Sequence, residues 1–289
     1  MIIINLRGGL GNQMFQYAFG RKLSLKNNDV LKLDIDGLKR ANEIGDIYRP
    51  FSLGRFAIHK NIATSEEVLR LKYPYGIFSK LWRWVKLHIL KQANILWHPP
   101  ALNKKGDIFL DGYWQSPKYF NDIREILLKE FYLSDSLGDY GENIAQQIQN
   151  TDSVSVHVRR GDYTKNTRVI KDFGMCSEKY YQQASDHIKN NIQDPTYFIF
   201  SDDIKWVKEN LPIADKSVFV SDLSLTDSSE LFLMSQCKHN IIANSSFSWW
   251  AAWINNNQEK IVIAPTPWFE NAIYDPSLYI DSWIQIPKN

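Results

Sequence analysis

Short apolar runs of strand length alternate along this chain with longer stretches in which apolar residues recur every three or four positions. The run Ile2-Ile3-Ile4 predicts a strand over about 2–6, the spacing after it predicts a helix over about 12–26, and Val30 to Asp34 predicts a second strand. Strand, helix and strand in that order make a parallel, right-handed unit. The pattern then loosens. Residues 36–66 read as loop, punctuated by Gly37, Gly45, Pro50 and Gly54, and 66–97 read as helices interrupted at Pro74 and Gly76. A strand is predicted near 107–111, a helix after it through about Glu130, and another helix from Asn143 to Gln149.

From Val154 the alternation restarts. Strands are predicted over 153–158, 196–200, 217–220, 239–243 and 260–263, with helices between them over 177–192, 203–210, 228–236 and 247–256. This is the pattern of a doubly wound α/β domain. A chain of 289 residues accommodates two such domains. The boundary is expected near residue 150, giving domains 1–150 and 151–289, although no Pro/Gly-rich linker marks it. No internal repeat or low-complexity segment interrupts either part.

The densest chemistry lies in His157-Val158-Arg159-Arg160-Gly161-Asp162-Tyr163, at the end of the alternating run Val154-Ser155-Val156. Guanidiniums match phosphate oxygens bidentately, so two adjacent arginines at the carboxyl end of a strand look like a diphosphate clamp. A solvated salt-bridge turn is the plainer reading. Three other strand ends carry polar groups. Arg7 to Gln13 places a glycine cluster where a helix begins, which lets backbone approach a ligand closely. Phe198-Ile199-Phe200 ends in Ser201-Asp202-Asp203. Ile241 to Trp250 repeats strand, small polar turn and helix, with serines placed to cap the helix and face an anion.

The Gly-Gly-Leu-Gly-Asn-Gln opening, the His-Val-Arg-Arg-Gly-Asp-Tyr core, the Phe-Ser-Asp-Asp turn and the Asn-Ser-Ser-Phe-Ser-Trp-Trp-Ala-Ala-Trp block together resemble the bacterial α-1,2-fucosyltransferases. The likeness runs in order from about residue 4 to residue 269. It implies a GT-B-like α/β fold, two Rossmann-like doubly wound domains facing a cleft. It also implies an inverting, metal-independent transfer of fucose from GDP-fucose, a co-substrate rather than a cofactor, to a β-galactoside. The N-terminal domain would serve the acceptor and the C-terminal domain the donor. Arg159 matches the family's phosphate-binding arginine, with Ser245, Ser246 and Phe247 contributing hydroxyl or backbone N–H groups. Arg160 is either a second ligand or an ion-pair partner of Asp162, since strand alternation points it away from Arg159. Asp202 or Asp203 would accept from guanine, with His157 nearby. The plainer alternatives are a turn aspartate capping the helix at Ile204 and a satisfied strand-end histidine. Gly11, Asn12 and Gln13 would lie near the fucose hydroxyls or β-phosphate, or simply form a tight turn with Asn12 as cap. Asp162 is the expected general base, with Asp172 and Glu178 as rivals.

Composition narrows the field. With 44% hydrophobic and 23% charged residues and a net charge of +2, the chain reads as globular, and nothing in it suggests nucleic acid as a partner. Ten tryptophans suit sugar stacking, though most belong in cores. Two cysteines, Cys176 and Cys237, make no disulfide framework and, with no zinc-ligand spacing, suggest a reducing cytoplasm. No signal-like or membrane-spanning run is present. A nicotinamide enzyme is suggested by Asp34 after the glycines, but Met14 stands where the third glycine belongs. Asp34-Ile35-Asp36 would suit a manganese-dependent glycosyltransferase, and the tryptophans a non-catalytic carbohydrate-binding protein. Finally, residues 68–106 contain no Asp or Glu but eight Lys and Arg. They form either a core-facing helix with a solvated basic face or a peripheral contact with the inner face of the cytoplasmic membrane, where a lipid-linked acceptor would lie.

Overall fold

The computed structural model describes residues 1–39, 50–88, 98–161, 171–211, 213, 216–221, 224–270 and 278–289. They group into two compact units, Met1–Tyr132 and Leu133–Asn289.

In the first unit β1 (Ile2–Asn5), β2 (Leu31–Asp34) and β3 (Ile108–Leu110) form a parallel sheet in the order β2-β1-β3. The central strand is the isoleucine run, and Ile2, Ile3 and Ile4 are fully buried, as a strand covered on both faces requires. Helix α1 (Leu10–Asn27) returns the chain from β1 to β2. The turn between them needs glycine. Gly8 has φ +75°, and a Cβ there would lie 2.6 Å from Asn12 Nδ2. Helices α2 (Ser65–Lys72) and α3 (Ile77–His88) flank Pro74 and Gly76 as the pattern predicts. A reciprocal cap between Thr64 and Glu67 opens α2. Helix α4 (Arg124–Glu130) closes the unit.

The boundary near 150 is corrected. Helix α5 (Gly138–Gln149) belongs to the second unit, where it buries Ile144, Ala145 and Ile148. Its Tyr140 hydroxyl donates to Val220 O at 3.0 Å. The division falls between Tyr132 and Leu133.

The second unit contains β4 (Ser153–Val158), α6 (Glu178–Asn191), β5 (Thr196–Ser201), α7 (Ile204–Asn210), β6 (Ser217–Phe219), α8 (Asp227–Gln236), β7 (His239–Ile241), α9 (Ser246–Ile254), β8 (Val262–Thr266) and β9 (Ile284–Pro287). Its sheet is parallel throughout, in the order β6-β5-β4-β7-β8-β9. The chain builds outward from β4 through β5 to β6, then lays β7 on the other side of β4 and builds outward again. Connections leaving β4 and β7 therefore diverge to opposite faces, and a crevice opens at the carboxyl ends of these two strands. Strand β9 was not predicted: four residues ending in proline, half-exposed at alternate positions, give too weak a pattern. The core beneath is aliphatic and aromatic, with Val154, Val156, Ile199, Ile241, Ile263, Tyr180 and Tyr197 all fully buried. Each such aliphatic side chain contributes about 1.5–3 kcal/mol.

Candidate active site

Strand register sets the site. Parallel pairing aligns His157 with Phe200 and Val158 with Ser201, so the next residue, Arg159, comes level with Asp202. Arg159 Nη1 lies 2.8 Å from Asp202 Oδ2. The other carboxylate oxygen, Oδ1, accepts from the backbone N–H of Arg160 at 2.8 Å. Gly161 completes the turn, because a Cβ there would sit 2.5 Å from Asp202 Oδ2. Asp202 thus anchors Arg159, with one partner on each of its oxygens.

The two arginines diverge as alternation predicts. The Arg160 guanidinium lies 3.4 Å over the Trp206 ring, and its Nε is 3.6 Å from Asp203 Oδ2. Such stacking contributes about 0.5–2 kcal/mol and fixes the plane of the fork. Asp203 follows the plainer expectation: its Oδ1 caps α7 by accepting from Trp206 N at 3.3 Å.

His157 is buried, with Nδ1 2.9 Å from Ser248 Oγ and its carbonyl accepting from the Tyr181 hydroxyl at 3.1 Å. Burial, reinforced by the Arg159 charge and only partly opposed by Asp202, pushes its pKa down to about 3. The imidazole is neutral at ordinary pH. Its ring lies 5.4 Å from that of Phe247. It ties the end of β4 to the start of α9, where Ser245 Oγ accepts from Phe247 N at 3.3 Å and Ser246 and Phe247 form the first turn. Asn244, buried behind them, donates to the carbonyls of Phe173 and Trp268 at 2.8 and 3.3 Å. The predicted residues His157, Arg159, Asp202 and Ser245–Phe247 are therefore brought together around the β4/β7 reversal. A guanidinium beside a helix N-terminus can stabilise a dianionic leaving group without proton transfer.

One carboxyl escaped the sequence reading. Glu230 stands in the first turns of α8, where burial pushes its pKa up to about 7, a Ser221 hydrogen bond opposes, and the charges of Asp227 and Asp202 add to the rise. A glutamate four residues past the Thr226 cap looks in sequence like an ordinary helix-dipole partner, so nothing singled it out. Beside the site a depression of about 740 Å³ is lined by Arg160, Lys171, Cys176, Glu178, Trp206 and Glu270, among others. Glu178 thus borders it. Asp172 contributes a backbone carbonyl that accepts from Glu270 N at 3.0 Å. Asp162 lies outside the described residues, as does most of the loop after it.

In the first unit, Gly11 is buried in the opening turn of α1, and Asn12 Oδ1 accepts from Gln115 Nε2 at 2.7 Å. Gln13 corrects its expectation. It is fully buried, with its amide donating to Gly8 O and Pro50 O, each at 2.9 Å, and accepting from Leu53 N at 3.3 Å. That leaves no surface for a sugar. Asp34 is buried too. Its Oδ1 accepts from Asp36 N at 3.1 Å, and desolvation raises its pKa, which disfavours the charged form a metal would need. Among the described residues no group of three or more His, Cys, Asp or Glu side chains is placed to hold a metal ion.

The sequence model of glycosyl transferase family 11 matches residues 100–287. The chain belongs to this family. It is 35% identical to the alpha-1,2-colitosyltransferase of Escherichia coli, over 100% of this chain and 99% of that protein. It is 32% identical to the O-antigen biosynthesis glycosyltransferase WbnK of Escherichia coli, over 97% and 99%. It is 25% identical to a galactoside 2-alpha-L-fucosyltransferase of Mus musculus, over 99% and 74%. Among solved structures, fucosyltransferase NodZ from Bradyrhizobium superposes with a TM-score of 0.54 at 11% identity, over 86% of this chain and 91% of that one, a likeness of fold. The family 11 protein is accordingly a nucleotide-sugar glycosyltransferase with a GT-B-like α/β fold.

Proposed function

We propose that this family 11 glycosyltransferase moves L-fucose from GDP-β-L-fucose to the 2-hydroxyl of a terminal β-galactoside, with inversion and without a metal. The observation that carries the reading is the Arg159–Asp202 pair at the end of β4, whose His157, two residues earlier, is tied to the capped first turns of α9. A diphosphate departing as an anion is stabilised there by a fixed guanidinium and by helix N–H groups. The likenesses to proteins named for α-1,2-colitosyl transfer, at 35% over 99% of that protein, and galactoside 2-fucosyl transfer, at 25% over 74% of that protein, support the linkage and the sugar class.

In this reading the acceptor oxygen attacks the anomeric carbon, the bond to the diphosphate oxygen breaks, GDP leaves, and the acceptor proton passes to a carboxylate. Asp162 is our assignment for that base, on its place in the sequence. Arg159 holds the diphosphate. Ser245, Ser246 and Phe247 supply the helix-end donors. With Asp202 engaged by Arg159 and Asp203 capping α7, Glu230, which feels the charge of Asp202, is the carboxyl we assign to the two N–H donors of guanine. The free cysteines Cys176 and Cys237 support a reducing, cytoplasmic setting. The acceptor is an oligosaccharide, lipid-linked ones included.

A second reading keeps the chemistry and changes the sugar to colitose, which lacks one hydroxyl of fucose; the 35% identity favours it. Incubation with GDP-fucose or GDP-colitose and a panel of galactosides, read by product mass and linkage, separates the two. Transfer of neither sugar to any galactoside would overturn both.

A further inference from the structure

Helix α3 was open to two expectations, and its exposure removes the core-facing one. Ile77 is 81% exposed, Phe78 80%, Leu81 59%, Trp82 58% and Trp84 52%, with Tyr75 just before the helix at 79%. At about 100° per residue, positions 77, 78, 81, 82, 84 and 85 share one arc of roughly 160°, and positions 79 and 80 fall on the other. A helix of a globular protein normally buries such an arc. Several large apolar side chains exposed together on one face mark an interaction surface.

The charge around it selects the partner. Residues 68–106 hold eight Lys and Arg and no acid, whereas the whole chain carries only +2. A second copy would bring the same acid-free, basic segment against it. An anionic bilayer complements both features, because its phosphates meet the cations while tryptophan and phenylalanine rings settle at headgroup level. We propose that α3 docks the protein in the plane of an anionic membrane surface, with its apolar arc in the interface. This does not depend on which sugar is transferred.

The test is co-sedimentation of the full chain with phosphatidylcholine vesicles prepared with or without phosphatidylglycerol, at low and high salt. Binding is expected only with the anionic lipid and is expected to weaken in high salt, since the screening length falls from about 10 Å at 0.1 M to about 3 Å at 1 M. Each cation near the surface adds about fivefold to partitioning. The triple variant Lys80→Glu, Arg83→Glu, Lys86→Glu should therefore bind at least about a hundredfold more weakly. A second variant, Phe78→Ser with Leu81→Ser and Trp82→Ser, should also release the protein. Both should keep the parent's thermal melt and its turnover on a soluble galactoside. No binding at low salt, or binding indifferent to the charge reversals, overturns the proposal. So does concentration-dependent dimerisation, abolished by the serine variant, without vesicle binding.

Discussion

At the scale of single residues, Arg159 is the group on which turnover should depend most. Loss of a charge-assisted contact to a developing anion costs about 2–4 kcal/mol, so Arg159→Ala should lower the transfer rate roughly 30- to 1000-fold while the thermal melt stays close to the parent's. Near-normal rates would remove it from the donor site. His157 and Glu230 carry opposite pH signatures. The folded pKa of His157 is pushed down to about 3 from an ordinary 6.5, so at neutral pH both states are uncharged there and it adds no pH dependence. As pH falls below about 6.5 the unfolded chain takes up a proton that the fold refuses, and stability declines towards pH 3. Urea unfolding between pH 7 and 4 should show this slope, and His157→Gln should flatten it. Glu230 is raised from 4.5 to about 7, so its share of stability is full below 4.5 and is lost as pH climbs through 7. If its carboxylate receives guanine donors, GDP should bind more tightly as pH rises through 7. Titrating GDP into Glu230→Gln should find that pH dependence gone and the affinity lower. An unchanged pH profile would exclude Glu230 from base recognition.

At the scale of elements, the site is a set of turns whose shapes are prescribed locally but whose purpose is not. The glycines, the serine caps and the aspartates after β5 were all legible as strand-to-helix punctuation, because turn stereochemistry acts within a few residues. What they hold was not. Gly161 illustrates the difference: its missing Cβ serves the Asp202 carboxylate rather than a special φ. Gly161→Ala should displace Asp202 and with it Arg159, so the KM for donor should rise and kcat fall in a protein that melts almost normally. Full activity in that variant would show that the Arg159–Asp202 geometry is dispensable. Gln13 shows the converse, a motif residue that reads as ligand-facing and instead clamps the backbone of a loop some forty residues away.

At the scale of the whole molecule, the consequential correction is the unit boundary. A chain begun at residue 151 lacks α5 and uncovers what Ile144, Ala145 and Ile148 pack against, a loss of about 3–6 kcal/mol by area. A chain begun at Leu133 should melt cooperatively, and one begun at 151 should melt far lower or not fold. Equal melts would return the boundary to 150. The proposed metal independence is tested at the same scale, since leaving-group charge is assigned to Arg159 and a helix end. EDTA should leave turnover essentially unchanged, and a steep loss restored by manganese would revive Asp34-Ile35-Asp36.

The sequence by itself determined the order of strands and helices, the parallel α/β class and the strand ends where chemistry gathers, because burial periodicity and turn conformation are recorded within a few neighbouring positions. It also carried the family, through motifs spread over nearly the whole length. Only the tertiary structure decided that Arg159 meets Asp202 rather than solvent, that Asp203 is a cap, that His157 is neutral and that Glu230 is buried within reach of the Asp202 charge. Those facts depend on the register between β4 and β5, which joins residues 42 positions apart, and on exclusion of water by elements distant in sequence. A linear pattern records neither.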